Sequence, residues 1–262
     1  MTKRQKRNAK YWKNRAIQME EDKEKMAEVL SERTRRSYIR SFESLTSDID
    51  ALYAEILDKG IENMSRTDLY NLQKYIALRK KIAEETEGLA IEDNKNLEDL
   101  LNRISVGTYE SNLKEMGLDF DILAEQQARA IASQNWTGIK FSERIWGNAN
   151  DFTARVMSDI EELVIGGKSP DKLKKKLMED YSIKFSEADR LIRTEASHAY
   201  NTAALESYAQ AGCREVEYLA ESDCCDLCKP YSKKVYPVAD APVIPVHPNC
   251  RCTYLPVITT MS

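Results

Sequence analysis

The residues best suited to chemistry in this 262-residue chain are cysteines and one histidine near the C-terminal end. Cys225 and Cys228 have the C-x2-C spacing that lets two thiolates approach one metal ion from a tight turn. After 18 further residues come His247 and Cys250, separated by two residues, and then Cys252. Tetrahedral Zn²⁺ takes four nitrogen or sulfur ligands, so the pattern predicts a structural zinc site. Five candidates compete for the four places, and the sequence does not choose among them.

Two other interpretations of these cysteines stay open. The thiols could be free and buried, or one or two disulfides could form after the protein leaves the cytoplasm. Zinc is the favoured interpretation because a segment of about 50 residues has little core of its own, and a bound metal would supply its folding energy.

The sequence contains no complete catalytic constellation. His247 lies near Cys250, but no third residue is identified that would orient such a pair. The deaminase order, H-x-E before P-C-x-x-C, is absent, and residues 166–169 lack the first glycine of a phosphate loop. Glu195 and His198 lie one helical turn apart and indicate a packing pair. We therefore expect no enzyme, no catalytic residue and no small-molecule substrate.

Charge and composition narrow the function classes further. The net charge is −4 and the isoelectric point is near 5.5, which argues against a dedicated nucleic-acid binder. Apolar runs fall short of the ~20 residues that span a bilayer. The N-terminal residues are not followed by the apolar segment of a signal peptide. We expect a protein made in a reducing cytoplasm without membrane contact.

The N-terminal end is strongly basic, with seven basic and no acidic side chains in the first 15 residues. Residues 1–40 have a net charge of +7, whereas residues 41–130 have −9. Such an arm can contact phosphates or an acidic protein surface, although a solvated terminus gives the same pattern. The candidate contact residues are Lys3, Arg4, Lys6, Arg7, Lys10, Lys13 and Arg15.

The elements that must position these residues are mostly helices. Residues 1–169 contain no proline, and all six cysteines lie at or after Cys213. A 4-3-4-3-4 apolar spacing predicts a long helix that ends near Gly60 and begins as early as Arg15. The residues of this apolar stripe are Tyr38, Phe42, Leu45, Ile49, Leu52 and Ile56.

Later helices and strands complete the predicted fold. Gly88 and Gly107 are expected to end two helices, and Ser186 to cap another that stops before Gly212. Strands are predicted at 215–220, 234–238 and 253–258. The fold class is mainly α, with a long helical N-terminal body (1–130), a helical middle (131–212) and a small α+β C-terminal domain with a Cys/His knuckle (213–262).

Short motifs in the last half of the chain also resemble those of a known family. The first motif is Arg193-Thr194-Glu195, on the predicted helix before Gly212. The second is the C-x2-C pair, which is followed by Tyr231 and Tyr236. The third is the segment HPNCRC at residues 247–252. Over about residues 135–258 the chain resembles the Mu-F-like head-morphogenesis family of tailed-phage minor head proteins.

The resemblance implies a minor capsid protein that acts at the portal vertex. Its partners would be the portal protein and capsid or scaffolding proteins, with double-stranded DNA as a further contact. It would be found in the host cytoplasm during assembly and then in the virion head. The alternative is a zinc-knuckle nucleic-acid-binding protein without a structural role in the virion.

Two local features can be compared with the family pattern. The acid that usually stands four residues before the first C-x2-C cysteine is Glu221, with Asp223 closer. The glycine often found between the C-x2-C pair and the next aromatic is missing from residues 229–236. We therefore expect a different local turn with an intact set of ligand candidates.

Overall fold

A computed structural model describes residues 3–222 and 224–258 of the chain, with side chains from Asn8 onward. These residues form six α-helices and one three-stranded antiparallel sheet. The helices are α1 (Lys3–Asp58), α2 (Arg66–Tyr70), α3 (Gln73–Glu115), α4 (Ile122–Ala132), α5 (Phe141–Ile165) and α6 (Pro170–Gln210), and the strands are β1 (Glu215–Leu219), β2 (Val235–Pro237) and β3 (Thr253–Pro256). The predicted mainly α fold with a small β-containing C-terminal part is confirmed.

The described residues divide into two compact units. Unit 1 comprises the described parts of Met1–Leu30, Asn96–Gly138 and Arg190–Ser262. Unit 2 comprises Ser31–Lys95 and Ile139–Asp189. Helices α1, α3 and α6 each contribute residues to both units. None of the helices in the described range is long and apolar enough to cross a membrane.

The core of unit 2 is built around the predicted apolar stripe of α1. Leu45, Ile49 and Leu52 are fully buried there, and Tyr38 is 3% exposed. Phe42 and Ile56, the other two stripe residues, are half-buried against the same core. The buried partners from α2 to α6 include Leu69, Tyr75, Ile82, Phe152, Ile160, Leu173 and Leu177. The stripe is therefore a bundle seam, as its spacing predicts.

Three predicted helix boundaries are wrong. Gly88 and Gly107 lie inside α3, and Ser186 lies inside α6, where its hydroxyl donates to the carbonyl of Ser182. A glycine inside a helix costs only about 1 kcal/mol relative to alanine, so packing of the flanking apolar residues outweighs it. A mid-helix serine bonds back to the preceding turn instead of capping a new helix. By contrast, Ser65 caps the start of α2 and forms a capping box with Asp68.

The sheet belongs to unit 1, and all three of its strands agree with the predicted positions. Central β1 pairs with β2 on one side and β3 on the other, so the strand order is β2-β1-β3. Val216 is opposite both Tyr236 and Pro256. Trp12, near the start of α1, joins the buried cluster under this sheet.

The turn that precedes β2 contains a strained residue. Lys233 has φ +60°, in the left-handed region that glycine adopts most readily. Its N–H donates to the carbonyl of Tyr218 (2.9 Å), and the N–H of Tyr218 donates to the carbonyl of Lys234 (2.9 Å). These two bonds to β1 fix the turn. Lys233 therefore takes a glycine-type conformation within 229–236, where the family's glycine is missing.

Replacing Lys233 with glycine is expected to stabilise the protein. Relief of the left-handed strain outweighs the backbone entropy that glycine loses on folding, for a gain of roughly 0.5–1 kcal/mol. Urea unfolding of the full chain measures the change in the free energy of unfolding. The control is Lys234→Gly at the next position, because among the described non-glycine residues only Lys233 and Asn249 have positive φ. Equal destabilisation by both variants would contradict the strain argument.

Candidate metal centre

Two segments of unit 1 bring the predicted metal ligands together. One joins β1 to β2 and carries Cys225 and Cys228. The other leads into β3 and carries His247, Cys250 and Cys252. Because β1 pairs with both β2 and β3, the two segments meet beside the central strand. All five candidates therefore lie in one connected group, which we call the Cys/His cluster.

The Cys/His cluster consists of two groups of three that share Cys228. Cys225, Cys228 and His247 form one group, and Cys228, Cys250 and Cys252 form the other, with the ligand atoms of each group within 4.8 Å of one another. The Sγ of Cys225 lies 3.2 Å from Nε2 of His247. The Sγ atoms of Cys228 and Cys250 are 3.8 Å apart.

These distances fit a zinc ion. With Zn–S bonds of about 2.3 Å, tetrahedral geometry separates two sulfur ligands by about 3.8 Å. The sulfur–nitrogen separation around the same ion is about 3.5 Å, a few tenths of an ångström above the Cys225–His247 distance. The donor set is thus of the right chemistry for a tetrahedral metal, and these two separations are close to those of donors bound to one ion.

The imidazole of His247 is oriented for metal binding. Its Nδ1 lies 2.8 Å from the carbonyl oxygen of Pro248. A carbonyl has no hydrogen to donate, so the neutral tautomer that makes this bond has its proton on Nδ1 and its lone pair on Nε2, towards Cys225. Hydrogen bonding of the second ring nitrogen to a carbonyl is the usual way in which a histidine ligand is fixed.

Burial divides the cluster into an exposed side and a buried side. Cys225 is exposed and His247 is half-buried, whereas Cys228, Cys250 and Cys252 are at most 2% exposed. Burial raises the pKa of Cys228 to about 11. The thiol of Cys252 donates a hydrogen bond to Cys250 and lowers the pKa of Cys250 well below its usual range. A cation between these sulfurs would favour the thiolate forms that bind metals.

Helix α6 holds the second segment through three polar side chains that the sequence analysis missed. The hydroxyl of Ser197 donates to the carbonyl of Cys250 (2.8 Å), and the amide of Asn201 donates to the carbonyl of Cys252 (3.2 Å). One turn before Ser197, Thr194 accepts the N–H of Asn249. The sequence feature that could have identified these three residues is that small polar side chains lie on the alanine-rich face of this helix.

Asn249 is the second described non-glycine residue with a left-handed backbone, at φ +60°. Asparagine tolerates this conformation better than other non-glycine residues. Asn249 therefore suits the backbone conformation of this turn, and His247 and Cys250 in the same turn supply the candidate donor atoms.

Arg251, between two cluster cysteines, forms ion pairs with two carboxylates of unit 1. Its guanidinium lies 3.6 Å from Glu20 of α1 and 3.4 Å from Glu221. Glu221 is the acid that stands four residues before Cys225. The contact gives this acid a structural role: it ties the first ligand segment to the second.

Glu195 and His198 form a packing group, as predicted. Trp136 stacks on the His198 ring with a centroid separation of 4.4 Å and an interplanar angle of 14°. Its indole N–H donates to the carboxylate of Glu195 over 2.9 Å. Burial lowers the pKa of His198 to about 4. The imidazole is therefore neutral in the folded protein near pH 7.

The basic candidates near the N-terminus have different surroundings. Lys10 and Lys13 are exposed. Arg15 donates to the carbonyl of Ser111 over 2.9 Å and lies near the ring of Trp12. The side chains of Lys3, Arg4, Lys6 and Arg7 lie outside the described residues. Among the described basic candidates, the two lysines are the most accessible to a partner.

The depressed pKa of His198 predicts that stability falls as the solution becomes acidic. The unfolded histidine binds a proton near pH 6.5, whereas the folded one does so only near pH 4. The contribution of His198 to the free energy of unfolding should therefore be constant above about pH 7 and fall by up to about 3 kcal/mol towards pH 4. His198→Gln should lose this slope between pH 5 and 7, measured by urea unfolding beside the wild type. Identical slopes would contradict a buried neutral His198.

No curated protein and no solved structure matches the chain significantly. Residues 154–255 match a family described as Phage Mu protein F like protein. The matched range includes about the second half of α5, all of α6, the sheet apart from the last residue of β3, and the whole Cys/His cluster. Over residues 154–255 the chain is therefore similar to the Mu-F-like phage head proteins, and the resemblance carried by the short motifs is confirmed.

Proposed function

We propose that this protein is a phage minor capsid protein that acts in head morphogenesis at the portal vertex. The observation that carries the proposal is the Mu-F-like match over residues 154–255. That range contains both ligand segments and the α6 side chains that hold one of them. The expected partners are the portal protein and capsid or scaffolding proteins, with assembly in the host cytoplasm followed by residence in the virion head.

In this proposal the Cys/His cluster is a structural zinc centre with four ligands. They are drawn from Cys225, Cys228, His247, Cys250 and Cys252. When bound, the ion supplies cross-links between the two ligand segments, which contain little regular structure. The residues of the chain orient these donors through the Pro248 carbonyl and the side chains of α6.

The same geometry also raises the question of a cysteine nucleophile. An exposed thiol, Cys225, faces Nε2 of His247, and the Pro248 carbonyl orients the ring. A nucleophile and base need this arrangement. Two further cysteines in the same cluster, Cys228 and Cys250, favour metal binding because a dyad has no use for buried sulfurs at tetrahedral spacing. We therefore propose a structural role without enzymatic activity.

The basic end of α1 is the proposed contact for portal protein or packaged DNA. Exposed Lys10 and Lys13 support this assignment, together with the sequence positions Lys3, Arg4, Lys6 and Arg7. Arg15 is the weakest of the seven candidates because its guanidinium is engaged by Ser111.

Protein made under reducing conditions should contain about one zinc ion per chain. Removing the ion with a strong chelator should lower the melting temperature and expose the C-terminal segments to protease, because metal binding contributes folding free energy. Elemental analysis and limited proteolysis measure the two effects. Cys213→Ser is the matched control, since Cys213 lies outside both metal-ligand groups. Metal-free protein with an unchanged cleavage pattern would exclude a structural zinc.

Immobilised full-length protein should retain the portal protein of its own phage. The double variant Lys10→Glu and Lys13→Glu should weaken retention at low salt, because charge reversal removes electrostatic attraction to an acidic surface. Binding is measured by pulldown with purified portal, and duplex DNA is assayed in parallel over a salt series. Retention of DNA with a steep salt dependence and no retention of portal would instead favour the nucleic-acid-binding alternative.

A further inference from the structure

Unit 1 contains a cavity of about 400 Å³ that is lined by α6, by Trp136 and by the segment that follows β2. We call it the Trp136 cavity. Its volume lies near the lower end of the range found for ligand pockets, which suits one side chain or one small ligand. None of the five candidate metal ligands lines this cavity. The proposed zinc centre therefore does not explain it.

Much of the lining of the Trp136 cavity is apolar. Leu205 and Ala209 contribute from α6, and Val238, Val243 and Ile244 contribute from the segment after β2. Val243 is 60% exposed, so part of this apolar surface is open to solvent. A ligand with an aliphatic portion would cover it and remove it from water.

Two aromatic rings in the lining are held in place by contacts within the protein. Trp136 stacks on the ring of His198 with a centroid separation of 4.4 Å. The indole N–H donates to the carboxylate of Glu195 over 2.9 Å. The indole is thus ordered by two contacts that need no ligand. Tryptophan is the side chain that attracts cations most strongly through the face of its ring.

Glu206 sets the charge of the cavity. Among the described residues of the lining it is the only one with a full charge near pH 7, because burial keeps His198 neutral and no lysine or arginine is present. Glu206 is half-buried and forms no ion pair with a described residue. Burial raises the pKa of its carboxyl group. A cation in the cavity would stabilise the ionised form and replace the water that the carboxylate has lost.

We propose that the Trp136 cavity binds the guanidinium group of an arginine side chain from a partner protein, with the carboxylate of Glu206 as its counter-charge. The aliphatic stem of the arginine would contact Leu205 and Val243. The inference does not depend on the zinc centre or on the identity of the partner.

The chemistry of the lining favours arginine over other cations. A planar guanidinium pairs with a carboxylate through two N–H groups and also stacks on aromatic rings, whereas an ammonium group does neither. A free polyamine is a poorer match, because one carboxylate would face several ammonium groups. Arginine is also enriched in protein–protein interfaces.

The test titrates the full-length chain with arginine blocked at both ends as the N-acetyl methylamide. Blocked citrulline is the matched ligand, since it has nearly the same shape and no charge. Binding is followed by NMR through the indole N–H resonance of Trp136, assigned by comparison with Trp136→Phe. The variants are Glu206→Gln, which removes the counter-charge, and Ala209→Leu, which fills the cavity from an exposed position of α6. Glu215→Gln is the control, because its exposed carboxylate lies outside the lining.

The wild type should show a saturable shift with blocked arginine. The dissociation constant should rise about 10-fold for blocked citrulline and also for Glu206→Gln, as expected for loss of one charge-assisted pair. Ala209→Leu should abolish binding with the carboxylate intact, and Glu215→Gln should bind like the wild type. Equal affinity for the two blocked ligands, or no saturable shift in the wild type, would overturn the proposal.

Two further ligands distinguish the sources of the cation. Blocked lysine and spermidine should both bind more weakly than blocked arginine. Tighter binding of spermidine that is lost in Glu206→Gln would overturn the assignment to a protein side chain and indicate a polyamine site. Glu206→Gln should melt no lower than the wild type, because it removes a half-buried charge without an ion-pair partner among the described residues. Its binding defect can therefore be separated from a folding defect.

Discussion

The arrangement of unit 1 depends on the hydrogen bonds between α6 and the carbonyls of the HPNCRC segment. This segment enters the core without a regular partner strand before β3, so its buried carbonyls need donors from elsewhere. Ser197 and Asn201, both at most 1% exposed, supply them to Cys250 and Cys252. A buried carbonyl left without a donor costs about 1–3 kcal/mol. The position of two sulfurs is thereby set by a helix before any metal is considered.

The metal-binding residues could be predicted from the sequence, but the side chains that hold their backbone in place could not. Spacing alone identifies Cys225, Cys228 and His247, because ligand turns are local and their geometry follows from a few residues. The contacts of Ser197 and Asn201 join positions about 50 residues apart, which no local pattern encodes. A serine or asparagine on a helix normally indicates an exposed or weakly helical position. Only the folded structure shows that both are buried among alanines.

Helix boundaries show the same division between local and distant causes. Gly212 was correctly placed after α6, and its φ of +75° shows that the chain needs a left-handed residue at that point. Gly88 and Gly107 carry no such requirement, since an added Cβ would meet nothing within 4 Å at either position. Buried Leu89 and Leu97 continue the apolar pattern beyond Gly88. A glycine therefore ends a helix where the chain needs a left-handed backbone or where the apolar packing stops. The presence of a glycine alone does not predict a helix end.

The two units differ in how strictly they constrain residue type. Leu45, Ile49 and Leu52 in unit 2 pack through apolar surface, and other apolar residues of similar volume satisfy such a core. In unit 1 each buried carbonyl needs a donor at one place, and the left-handed turn favours asparagine, aspartate or glycine at position 249. Three fragments that are distant in sequence contact one another in the fold, namely 193–201, 225–228 and 247–252. A substitution in one fragment therefore changes which side chains fit in the other two. This physical coupling explains why the short polar motifs identify a family, whereas the long helical stretches specify only a class of fold.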